Sequence, residues 1–247
     1  MIEIKSENEL KLIAEAGKIV NLILEELKAG AMPGVTTADL EKKAAEIIKK
    51  FSARSAFLGY RGFPGVICVS LNEQVVHGIP GNTRLSAGDI LSIDVGVEKN
   101  GYYADSALTV PIGNTVSDSA LSLIDVTEKA LYLGIEKAVE GNRLFDISNA
   151  VQRKAESHGY GVVREFVGHG IGRNLHEDPE IPNYGRQNTG PRLKSGMVLA
   201  IEPMINQGGC EVEVLNDGWT AVTKDRSLSA HFEHTVAVTE GKPKILT

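Results

Sequence analysis

Two cysteines in 247 residues, Cys68 and Cys210, are too few for a disulfide scaffold, and reduced thiols of a cytosolic protein are the plain reading. Aromatic residues make up only 5%, and no apolar run approaches the ~18–20 residues of a membrane span. Charge begins at Glu3, so the N-terminus does not read as a signal peptide. Positive charge is also short. Lys plus Arg number 26 against 32 Asp plus Glu, a net charge of −6 that argues against a nucleic-acid-binding surface. The remainder, 42% hydrophobic and 23% charged with 26 glycines, is the composition of an acidic, soluble protein mixing helices and strands, expected in the cytoplasm. The length allows one to two domains.

Apolar residues from Leu10 to Leu27 recur at helical spacing, and after Gly30, Pro33 and Gly34 a second helix is expected from Thr37 to Lys50. Strands are expected over 66–70, 90–97 and 102–110, the last two joined by Asn100-Gly101, a hairpin dipeptide. The pattern then restarts, with helices over 121–139 and 145–157 and strands over 162–167, 197–205, 210–215 and 235–238. An internal repeat underlies this. The segment from Arg84 to Asp94 matches the segment from Arg192 to Glu202 at an offset of 108. One domain of two related halves, about 1–117 and 118–247, is expected, with Asp94 and Glu202 at equivalent strand positions facing one cleft.

A two-residue loop at Asn100-Gly101 pairs residues whose numbers sum to 201, which sets Asp94 opposite Ala107 and Asp105 diagonally across on the same face. Carboxylates held that close repel unless a cation or proton compensates. Glu233, in His231-Phe232-Glu233-His234-Thr235, supplies another acid on a strand. Four carboxylates and an imidazole suit a pair of divalent transition ions. Among the histidines, His158 reads as a surface residue after a helix and His234 points away from Glu233. His231 shares the face of Glu233 and stays ambiguous. His77, His169 and His176 are read as lying in glycine-rich turns, which expose side chains and favour a functional role. The stretch from Gly172 to Gly196, with Pro179, Pro182 and Pro191, reads as a long substrate-facing loop.

In combination, Val76-His77-Gly78-Ile79-Pro80, Ile93-Asp94-Val95-Gly96, Asp105-Ser106-Ala107, Gly168-His169-Gly170-Ile171-Gly172-Arg173, Leu175-His176-Glu177, Ile201-Glu202-Pro203 and Phe232-Glu233-His234-Thr235 resemble the type I methionine aminopeptidases. The resemblance covers nearly the whole chain. It implies an α+β pita-bread fold, curved around two pseudo-two-fold-related halves. It also implies removal of the initiator methionine from nascent proteins when the second residue is small. By the same resemblance Asp94, Asp105, His169, Glu202 and Glu233 would hold two divalent ions (Co, Mn, Fe or Zn), with Asp94 and Glu233 bridging. Glu202 would move the proton, His176 would donate to the developing oxyanion, and His77 would contact the scissile amide. Phe57, Tyr60, Phe63, Cys68, Phe166 and Trp219 would form the methionine pocket. A monovalent cation, Na or K, near the carbonyls of Asn72, Gln74 and Ser229, a transient ribosome contact and a monomeric state are further implications.

Leu175, Arg61 and His231 depart from the commoner family pattern, which stands as aromatic, histidine and glutamine at those positions. Two other readings are a peptidase of the same fold specific for Xaa-Pro bonds and a catalytically dead binding protein. The first is disfavoured by the apolar pocket, the second by the complete set of candidate ligands.

Overall fold

A computed structural model describes residues 2–247. Helix α1 (Glu7–Gly30) begins at a capping box in which Ser6 and Glu9 satisfy each other's backbone N–H, and it buries Ile13, Gly17, Val20, Leu24 and Leu27 along one stripe. Helix α2 (Thr37–Lys50) starts with the same device at Thr36 and Asp39. Helices α3 (Asp118–Ile135) and α4 (Leu144–Glu156) open the second half. Among the described residues no helix is long and apolar enough to cross a membrane.

Between and after the helix pairs lie short strands: β1 (Arg54–Ser55), β2 (Cys68–Leu71), β3 (Gln74–Val76) and the long hairpin β4 (Ile90–Lys99) and β5 (Tyr102–Pro111). The second half supplies β6 (Gly161–Val162), β7 (Gly168–Gly170), β8 (Glu177–Ile181), β9 (Val198–Ile201), β10 (Met204–Asn206), β11 (Val212–Val214), β12 (Ala221–Thr223), β13 (Ser229–His231), β14 (Glu233–Ala237) and β15 (Lys244–Ile245). The main sheet runs β1-β4-β5-β14-β9-β7-β8, so strands of both halves are hydrogen-bonded into one surface. Two smaller sheets, β13-β10-β6 and β11-β12-β3, flank it.

Alternation along these strands divides the residues between two faces. Ile93, Val95 and Val97 pack with the apolar stripes of α1 and α2 in one core cluster. Leu199, Ile201, Val236 and Val238 pack with Leu131 and Ile135 of α3 in another. The helices therefore cover one face of the main sheet. The residues between these, Asp94 and Glu233 among them, turn to the opposite face.

The structure alters several expected strands. The expected strand over 197–205 is two, because Pro203 offers no N–H and the chain leaves the main sheet there to enter the β13-β10-β6 sheet. The one over 162–167 stops at Val162, where Arg164 and Glu165 turn to solvent, and pairing resumes at Gly168. The stretch from 172 to 196 is not wholly a loop. It contains β8, which pairs with β7 from Gly168↔Ile181 to Gly170↔Glu177.

The helix–tail contact gives one stability prediction. A Cβ on Gly17 of α1 would lie 2.1 Å from the backbone oxygen of Leu246. Gly17→Ala forces the backbone apart, an overpacking cost of roughly 1–3 kcal/mol. For a chain of this size that is about 2–12 °C in Tm, measurable by calorimetry; an unchanged Tm would show that the tail simply swings away.

Candidate active site

The hairpin has the register expected from its turn. Asp94 pairs with Ala107 and Gly96 with Asp105. β14 continues the rows, Glu233 opposite Ala107, and Thr235 opposite Ala200 of β9, which in turn faces His169 of β7. Glu202 follows the last residue of β9. Asp94, Asp105, Glu233, Glu202 and His169 thus come from five neighbouring strands of one sheet. The small Ala107 and Ala200 lie between them and leave the space above the rows open. A cavity of about 150 Å³ stands over these residues, lined also by Phe57, Tyr60, Arg61, Phe63, Cys68, His77, Leu175, His176 and Trp219.

Single ligand atoms of Asp105, His169 and Glu233 lie within 4.8 Å of one another, and all three residues are buried. His169 Nδ1 is 2.9 Å from the Gly170 carbonyl oxygen, an acceptor, so Nδ1 carries the proton and Nε2 presents a bare lone pair. That lone pair faces Asp105 Oδ2 and Glu202 Oε1, each at 3.6 Å. Asp94 Oδ1 and His231 Nε2 are buried with no hydrogen-bond partner. His231 Nε2 also stands 3.6 Å from Glu202 Oε2, so the structure brings this ambiguous histidine to the acid cluster. A set of carboxylate oxygens, one oriented imidazole and orphaned buried atoms is a donor set that fits divalent metal ions.

The electrostatics agree. Without a cation, burial pushes Asp94 up to about 8, and the charges of Asp105 and Glu202 add to that. Glu202 is pushed up to about 8 by burial and then by Asp105. Glu233 is raised well above the usual carboxylate range by burial and by its three acidic neighbours, and Asp105 is raised by burial. The protein holds four acids where they ionise poorly alone.

At the mouth, His176 Nδ1 is 2.9 Å from Tyr60 Oη, and the two rings stack at 5.2 Å. His176 is exposed at one edge, but desolvation by the groups packed round its ring, followed by the nearby His169, Arg61 and His77, lowers it to about 3, so its imidazole is neutral. A neutral ring accepting the Tyr60 O–H at Nδ1 carries its proton on Nε2, free to donate. His77 has a backbone φ of 60°, a strained conformation for a residue with a Cβ. Its ring meets Phe166 edge-on at 5.3 Å and Trp219 at 6.3 Å, and burial lowers it to about 4. Phe63 and Trp219 form a T-shaped pair at 5.2 Å. Cys68, cross-strand partner of Asp94, is buried, and burial with the Asp94 charge raises its thiol well above the ordinary value. Phe166 is the exception among the expected pocket residues. It backs His77 and does not line the cavity.

The model of metallopeptidase family M24 matches residues 11–240. The methionine aminopeptidase of Clostridium perfringens is 53% identical over 100% of this chain and 99% of its own length, and methionine aminopeptidase 1 of Bacillus subtilis is 54% identical with the same coverage. The chain belongs to metallopeptidase family M24, on its methionine aminopeptidase branch. The crystal structure of the Thermotoga maritima methionine aminopeptidase superposes with a TM-score of 0.98 at 46% identity, covering 100% of this chain and 99% of that one. The prolidase of Pyrococcus furiosus shares the pita-bread fold alone, with a TM-score of 0.80 at 23% identity over 99% of this chain and 65% of that one. Within this M24 site, sequence reasoning gave Tyr60 only an apolar role and missed its bond to His176. It also missed that His231 reaches the acids. The i, i+2 spacing of His231 and Glu233 carried that signal, but the choice between core and cleft needed the neighbouring strands.

Proposed function

We propose that the chain is a metalloexopeptidase that removes N-terminal methionine from peptides and nascent proteins when the second residue is small. The carrying observation is His169 Nε2 turned to the carboxylates of Asp105 and Glu202, beneath an apolar wall of Phe63, Trp219 and Cys68. A thioether side chain against aromatic edges and a thiol is a good chemical match for that wall.

Asp94, Asp105, His169, Glu202 and Glu233 would hold two divalent ions. When bound, such ions supply a water acidified enough to attack a peptide carbonyl near neutral pH. The remaining work belongs to side chains. Glu202 takes the proton from the attacking water and delivers it to the leaving amine. Neutral His176 donates from Nε2 to the carbonyl oxygen as negative charge develops there, with Tyr60 holding the tautomer. His77 contacts the amide nitrogen being cleaved, its ring held between Phe166 and Trp219. Phe57, Tyr60, Phe63, Cys68 and Trp219 bind the methionine side chain. The catalytic unit is one domain of two halves, about 1–117 and 118–247, supported by the pairing of β5 with β14. A monovalent cation near Asn72, Gln74 and Ser229 belongs to the same reading. The Ser229 N–H bonded to the Asn72 carbonyl oxygen at 2.9 Å brings two of these residues together.

Met-Ala-Ser and Xaa-Pro peptides, assayed with Mn, Fe or Co and again after chelation, test the proposal. The expected result is cleavage of Met-Ala-Ser alone, lost on chelation. Uncut Met-Ala-Ser with all three metals overturns it, and preferential Xaa-Pro cleavage moves the chain to dipeptidase specificity.

A further inference from the structure

Among the buried charges that the mechanism does not use is a lysine. Lys5 precedes α1, yet its side chain is only 2% exposed and ends in the second half of the molecule. Its ammonium donates to Glu177 Oε2 at 2.5 Å and to Glu3 Oε2 at 2.8 Å. The other oxygen of Glu177 accepts from Asn174 N at 3.0 Å. Glu177 thereby closes the turn Asn174-Leu175-His176-Glu177, whose third residue is the oxyanion donor proposed above. The Lys5 backbone N–H donates to the Gly196 carbonyl at 2.7 Å, which fixes the strap to the segment just before β9.

The passage is shaped for this side chain. A Cβ on Gly172 would lie 2.3 Å from Lys5 Cε, and one on Gly196 would lie 2.8 Å from the Lys5 carbonyl oxygen. Burial alone would lower the Lys5 ammonium, but the hydrogen bonds and charges of Glu177 and Glu3 outweigh it and raise it instead. The far side of the turn is fixed independently, by buried Leu175 and by Tyr60 on the His176 ring. Removing the Lys5 bond therefore loosens one anchor of the turn and leaves the Gly170↔Glu177 pair and the Gly172 N–H bond to the Asn174 carbonyl, 3.1 Å, in place.

We propose that Lys5 is a positioning residue that acts through Glu177 to hold His176 at the angle from which it donates to the substrate carbonyl. This rests on the function proposed above. Its effect falls on the transition state, where a misplaced donor costs rate and leaves ground-state binding nearly unchanged.

The test is a double-mutant cycle on metal-loaded enzyme with Met-Ala-Ser. Lys5→Met is expected to lower kcat about 10–100-fold with KM within roughly threefold. In a His176→Ala background it should have almost no further effect, because both changes remove one interaction. Equal loss in both backgrounds, or full activity of Lys5→Met, overturns the proposal. A second readout needs no turnover: in ¹⁵N-histidine spectra of metal-free protein, the His176 resonances should move in Lys5→Met while those of exposed His158 stay. If Lys5→Met does not fold, Glu177→Gln removes the ion pair but keeps an acceptor for Asn174 N–H, and the same shift with a smaller kcat loss is expected. An unmoved His176 resonance in that variant refutes the role. Wild-type protein inactive on Met-Ala-Ser would instead refute the proposed function, and the spectra would still decide the Lys5 contact.

Discussion

Glu202→Gln is expected to lower kcat on Met-Ala-Ser by about 10²–10⁴-fold while the chain stays folded. The change is nearly isosteric and removes the group that would carry the proton between water and leaving amine. It also removes one of four mutually repelling acids. In metal-free protein burial and Asp105 push Glu202 up to about 8, so the folded chain carries it as the neutral acid, and Gln keeps that neutrality while removing the unfolded chain's gain on ionising. The metal-free variant should therefore melt at or above the metal-free wild type. That combination separates chemistry from folding damage, which would lower both quantities together. Activity within about tenfold of wild type would take the proton-transfer role away from Glu202.

Chelation is the second large effect. Ligand held at about a hundred times its Kd stabilises the folded state by ~2.7 kcal/mol, which for a chain of this length is roughly 5–11 °C in Tm. The gap should also depend on pH, with a definite sign. Asp94 and Glu202 titrate near 8 in the folded, metal-free protein, against ordinary values of 3.8 and 4.5. Below the ordinary values both folded and unfolded chains keep these protons, and stability is unaffected. Between about 4.5 and 8 the unfolded chain releases protons that the folded one retains, so metal-free stability falls as pH rises. Bound cations reverse the preference, because they compete with protons for the same oxygens. Melting curves at pH 6 and pH 8 should show the gap between loaded and chelated protein widening. A gap independent of pH would mean the acids are already ionised without metal.

The site was legible in the sequence wherever it depended on period two and a known turn. Asn100-Gly101 fixed the loop length, which fixed the parity, which set Asp94 and Asp105 on one face. The repeat at an offset of 108 then related Asp94 to Glu202. What could not be read was set by partners distant in the chain. β8 is short and charged, and only Pro179 and Ile181 are buried in it, so neither composition nor period marked it as a strand. Pro203 stopped β9 for a reason visible in the sequence, but that the chain then enters another sheet was not. Lys5 gave no signal, since a lysine before a helix is ordinarily solvated. Its burial follows from glycines at 172 and 196 whose significance appears only once the halves meet.

The five donors come one each from β4, β5, β14, β7 and the end of β9. A slip of one residue in any of these strands would turn its donor to the helix side, because side chains alternate with a period of two. A chain with one strand out of step would thus offer four donors at most. If the five donors hold metal as proposed, tight binding would serve as proofreading of the sheet: ions would be retained only where every ladder across both halves is locked in its proper register.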